Sequence, residues 1–149
     1  MLLIMYSVFD IANYILQQYE AKNLKINNLK LQKILYYIQI NALQKHDQPL
    51  FQEPIEMWWG GGNVPKLYFE LQKYVCTPIH PDDSCFTDAK PINDFDKEII
   101  QEIIDKTLDK KDLELVTSIQ ATQLYKDYFV TGVRHPINHR DLKNGEINI

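Results

Sequence analysis

The sequence predicts a mainly α fold (α+β), a single compact domain of about five helices with a small β element spanning residues 1–149. Three observations lead there. Apolar residues recur at helical spacing along most of the chain, and "PIEMWW" reads as a short strand. The composition, 149 residues with 45% apolar, is that of one ordinary globular domain.

Taken in order, Ser7 followed by Asp10 has the spacing of a capping box, and Val8, Ile11, Ala12, Ile15, Leu16 and Tyr19 then form a helical stripe, so the first helix covers about residues 7–19. Asn27 or Asn28 caps a second helix, "LKLQKILYYIQINAL", which is apolar on two faces: Leu31, Ile34, Leu35, Ile38 and Ala42 on one, Leu29, Tyr36, Ile40 and Leu43 on the other. Such a helix is the centre of a core or also holds a partner. Gln32 and Lys33 are expected on its exposed margin.

"PIEMWW" is too short for a stable helix and ends in two aromatics, so residues 55–59 are expected to form a strand that pairs with a loop or the tail. Gly60, Gly61 and Gly62 end it, and Asn63 caps a third helix with Pro65 in its first turn and Leu67, Tyr68, Leu71 and Val75 inward. Residues 76–93 hold three prolines and read as a loop with an extended piece at 77–79. A fourth helix follows at about 94–108, with Phe95, Ile99, Ile103 and Ile104 inward. Asp112 caps a fifth stretch through Leu113, Val116 and Ile119, which continues or restarts at 122–130 and stops at Gly132. The tail predicts an extended Pro136 and Ile137, one helical turn capped by Asn138, and a strand-like "EINI".

Charge excludes several functions. Residues 82–114 carry eleven acids and five lysines, whereas residues 1–81 carry six acids and seven lysines. No basic stripe appears, so direct nucleic-acid binding is not expected. The acidic middle reads as a solvated helix face, or as a surface for a basic partner. The apolar start "MLLIM" has no basic flank and stops at Ser7 and Asp10, so neither a signal peptide nor a membrane span is expected. Two cysteines are too few for a disulfide framework, and a cytoplasmic location follows.

Catalytic and metal chemistry are poorly represented. Cys76, His80 and Cys85 have the right donor types for zinc but lack a fourth ligand and a tight CxxC pair, so no metal and no cofactor are expected. His135 and His139 are separated by Pro136, which rules out a metalloprotease helix. The glycines lack the Lys-Ser/Thr pair of a phosphate loop. An enzyme that uses the Cys76, His80 and Cys85 loop is the weakest reading.

Two adjacent indoles remain. Strand alternation places Trp58 and Trp59 on opposite faces, with Trp58 expected inside and Trp59 more exposed. Either Trp59 anchors a partner, or both rings pack in an aromatic core and the turn is only a turn. The candidate partner surface is Trp58, Trp59, Gly60, Gly61, Gly62, Asn63 and Tyr68, with the glycines letting a partner approach the backbone.

The order of "LKLQKILYYIQINAL" and "PLFQEPIEMWWGGGNVPKLYFELQKY" resembles the Panacea, or SocA-like antitoxin, domain over about residues 8–75. That family reads leucine, x, leucine, glutamine, lysine and a leucine- and tyrosine-rich helix, then a proline-leucine-phenylalanine turn, then an isoleucine-glutamate-alanine-tryptophan strand before glycine, proline, valine and a tyrosine-bearing helix. Leu29, Leu31, Gln32, Lys33, Tyr36, Pro49, Phe51, Ile55, Glu56, Trp58, Gly60, Val64 and Tyr68 are among the matching positions. Two departures stand out. "GGGNV" is one or two residues longer than the family's turn, and Gln120 and Tyr125 occupy positions where the family pattern has histidine and tryptophan. The resemblance implies an antitoxin, often encoded by prophages or mobile elements, that neutralises a cognate toxin by binding it directly. A phage or mobile-element protein that binds another host factor is the alternative.

Overall fold

A computed structural model describes residues 5–149, so four residues of the apolar start lie outside the described residues. The elements are α1 (Val8–Ala21), α2 (Asn28–His46), β1 (Glu56–Trp58), β2 (Gly61–Asn63), α3 (Pro65–Glu70), α4 (Asp94–Thr107), α5 (Asp112–Gln120), α6 (Gln123–Tyr128) and α7 (His139–Lys143), with single 3-10 turns at Gln72–Tyr74 and Ser84–Phe86. The protein is mainly α with one two-stranded antiparallel sheet. Among the described residues, no helix is long and apolar enough to cross a membrane.

Local chemistry sets the helix starts. The Ser7 hydroxyl accepts from the Asp10 amide while the Asp10 carboxylate accepts from the Ser7 amide, which closes the capping box of α1. The stripe from Val8 to Tyr19 is buried as its spacing requires. Asn27 caps α2 by accepting from the Lys30 amide, Asn93 caps α4, and Asn138 caps α7.

Helix α2 is the core helix, with α1, α4, α5, α7 and β2 packed around it. Here the first correction arises: Gln32 and Lys33 are not on an exposed margin but fully buried. The buried amide and amine side chains of α2 are hydrogen-bonded to segments that the helix supports, whereas the buried Tyr36 hydroxyl has no partner among the described residues. The Gln32 Oε1 accepts from the Val64 amide at 2.8 Å. Gln39 accepts from the Leu50 amide and donates to the Phe51 carbonyl, both at 2.8 Å. Asn41 donates to the Ile99 carbonyl, and Lys30 donates to the Lys110 carbonyl. Burying a polar group without a partner costs free energy, and these amide and amine side chains meet that demand through ties between α2 and the irregular chain around it.

The strand forms, but its partner is the glycine run itself. Glu56, Met57 and Trp58 pair with Asn63, Gly62 and Gly61, leaving Trp59 and Gly60 as a two-residue loop. The tail supplies the other edge, where the Ile137 amide donates to the Ile55 carbonyl at 2.8 Å. Asn63 therefore belongs to β2, and Val64 precedes α3 without a side-chain cap. Asp112 is the first residue of α5 rather than its cap, and its carboxylate accepts from Asn27. Val75, Phe95 and Leu113, expected inward, are exposed: Val75 follows a 3-10 turn at φ 55°, Phe95 stacks on His46, and Leu113 lies off the stripe that α5 buries. Residues 77–79 make no strand, although the Ile79 amide donates to the Ile26 carbonyl, and "EINI" is irregular. Helix α6 ends at Tyr128, before Gly132, which turns the chain at φ 77°.

Candidate functional site

The hairpin is the candidate site, and its inner face explains the glycines. A Cβ on Gly62 would lie 2.1 Å from Cδ1 of Tyr36, so no side chain fits between β2 and α2. Gly61 has φ 110°, a region L residues rarely adopt, and rests on the Ile119 side chain of α5. Gly61, Gly62 and Asn63 are all buried. Of the expected surface, Trp58, Trp59, Gly60 and Tyr68 are the residues that reach solvent.

Lys33 lies beneath the strand. Its ammonium donates to the Gly62 carbonyl at 3.2 Å and to Asn63 Oδ1 at 2.6 Å. It is fully buried, and among the described residues no carboxylate forms an ion pair with it. Burial disfavours the charged form and lowers its pKa to about 7.

On the outer face, Trp58 is half-buried rather than inside; Met57 takes the inward position. The Trp58 indole donates to Glu56 Oε1 at 3.0 Å, as two residues on one face of a strand can. Tyr68 packs edge-on to it at 4.8 Å, Phe69 at 5.8 Å, and the Arg134 guanidinium sits 3.9 Å above the ring. Trp59 is 67% exposed, as expected of the outer ring, and Phe69 is 53% exposed beside this cluster.

The loop is tied by two residues whose roles the sequence left open. The Trp59 carbonyl accepts from Gln120 Nε2 at 2.8 Å and from the Tyr125 hydroxyl at 2.9 Å. The available signal was the departure from the family pattern at those two positions.

The cysteine loop builds no comparable site. Cys76 and His80 are exposed, and Cys85 is half-buried. Burial, and then the hydrogen bond to Asp83, raises the Cys85 thiol to about 12, so it is not a thiolate at neutral pH. Among the described residues, no three His, Cys, Asp or Glu side chains form a metal-holding group.

A family model described as "Antitoxin SocA-like, Panacea domain" matches residues 31–123, more than half of the chain. The chain belongs to the SocA-like Panacea family. The match runs from α2 through the hairpin to the first residue of α6, so it begins later and ends later than the segments that first suggested it. No curated protein and no solved structure matches the chain. Membership in the Panacea family supports an antitoxin-like role that works by binding a toxin-like partner rather than by catalysis. All but the first three residues of the core helix, and the whole hairpin it carries, lie within the residues matched to the Panacea domain, whereas Tyr125 lies just beyond them.

Proposed function

We propose that this protein is a cytoplasmic antitoxin that neutralises a cognate toxin by direct protein–protein binding, with Trp59 as the anchor of the contact surface. The observation that carries this is an indole 67% exposed on a loop whose Trp59 carbonyl is held by Gln120 and Tyr125, next to a strand whose Gly62 carbonyl is held by Lys33. A large aromatic residue left in water is uncommon, and tryptophan is enriched among the residues that dominate binding energy. Trp58, Gly60 and Tyr68 border it, and Phe69 extends the apolar area. Gly61, Gly62 and Asn63 act from beneath by shaping the hairpin.

The test co-expresses the chain with the protein encoded by the adjacent reading frame of its source genome and follows growth. Wild-type chain is expected to relieve arrest, and Trp59→Ala to weaken binding by about 2 kcal/mol, roughly thirtyfold in affinity, with the thermal midpoint nearly unchanged. Full neutralisation by a folded Trp59→Ala variant removes Trp59 from the contact. An adjacent product that neither arrests growth nor binds the chain favours a host factor as the target.

A further inference from the structure

We infer that Gln120 and Tyr125 are positioning residues of the hairpin: by holding the Trp59 carbonyl from α5 and α6, they fix the direction in which the Trp59 ring leaves the surface. The consequence for affinity rests on the reading of Trp59 as an anchor; the positioning itself does not.

A carbonyl oxygen has two lone pairs, and here each receives one donor, Gln120 Nε2 at 2.8 Å and the Tyr125 hydroxyl at 2.9 Å. Satisfying that oxygen does not explain the arrangement, because Trp59 is at the surface and water would serve. What protein donors add over water is a fixed direction. The carbonyl carbon is bonded to the Cα that bears the indole, so holding the oxygen restricts rotation about the bond between them and with it the path of the side chain. Both donors are half-buried. Gln120 ends α5, whose neighbouring residue Ile119 packs under Gly61. The Tyr125 ring stacks on Phe129 at 5.1 Å and 7°, and its amide donates to the Thr122 cap. Lys33 holds the Gly62 carbonyl from the opposite side. The two-residue loop is thus ordered when the chain folds, and its ordering entropy does not fall on the binding step.

The test uses the full chain. In a Trp58→Phe background Trp59 is the sole tryptophan, and Gln120→Met with Tyr125→Phe removes both donors at nearly constant volume. Time-resolved fluorescence anisotropy is expected to gain a fast component for Trp59, with a helical melting midpoint close to that of the parent. An unchanged anisotropy decay overturns the inference. In the second arm, with Trp58 intact and the adjacent reading frame's product as the probe, the double variant is expected to lose about tenfold in affinity, as when a tip is competent only about a tenth of the time. In a Trp59→Ala background it should lose nothing further. Equal loss in both backgrounds means the two residues act only on structure and sinks the inference. If Trp59→Ala alone binds normally, the anchor reading fails, while the anisotropy arm still decides whether the carbonyl is what holds the ring.

Discussion

Gly62 and Gly60 are two residues apart and have opposite tolerance for a methyl group. A Cβ at Gly62 would penetrate the Tyr36 ring, which is itself fully buried and has no room to retreat. At Gly60 the nearest atom to such a Cβ is Lys33 Nζ at 3.9 Å, an ordinary contact, and no positive φ stands in the way. Gly62→Ala is therefore expected to destabilise by about 3 kcal/mol, at the upper end of overpacking effects, and Gly60→Ala by less than about 0.5 kcal/mol. Urea denaturation of the two variants checks this, and equal midpoints would mean that β2 does not rest on Tyr36 as described. The same contrast makes Gly60 the glycine of the hairpin that can be altered without touching the fold.

At the scale of the element, α2 holds the molecule through polar side chains on a helix buried nearly all round. Lys33 gives this a signature in pH. Below pH 7 both folded and unfolded chains carry the proton, and the burial penalty is fully present. Above about 7 the folded chain sheds it, whereas the unfolded chain keeps it up to the ordinary value of 10.5. The unfolded state then binds more protons, so stability rises with pH, by at most roughly 1.4 kcal/mol per pH unit. Cys85 and the buried Tyr36 and Tyr37, all raised by burial, act in the opposite sense and only at about pH 9 and above. The expected result is a rise in unfolding free energy from pH 7 to 9 that flattens in Lys33→Met. A wild-type profile without that rise would show that Lys33 keeps its ordinary proton affinity. The variant is also expected to be less stable than wild type at pH 9, because it leaves the Gly62 carbonyl and Asn63 Oδ1 without their donor.

Across the whole molecule, the ties converge on one helix. Lys33 joins the hairpin to α2, Gln32 joins Val64 just after it, Gln39 joins the segment before it, Asn41 joins α4, and Tyr37 reaches Asn148 in the tail. Segments from distant parts of the chain are thus tied to α2, and unfolding is expected to be a single cooperative step. Tryptophan fluorescence reports the hairpin and far-UV circular dichroism the helices. Their urea transitions should coincide; a fluorescence change at lower urea would make the hairpin a separate, weaker unit.

The sequence by itself determined the mainly α class, the starts of α1, α2 and α7, the core role of α2, the existence of a strand at "EMW", and the greater exposure of Trp59 over Trp58. These depend on caps and periodicities that act within about four residues, so neighbouring letters suffice to read them. Tertiary structure decided the rest. Gln32 and Lys33 look like a solvated margin until Val64, Gly62 and Asn63 arrive from about thirty residues away to pair with them. "GGGN" reads as a turn until the packing of Gly61 on Ile119 and Gly62 on Tyr36 makes its last three residues the second strand. Trp58 faces outward because the Met57 side chain took the inner side of a strand with only two. Gln120 and Tyr125 find Trp59 across 61 and 66 residues. Hydrogen-bond partners at such separations leave no periodicity in the chain, and only the packed molecule brings them within reach.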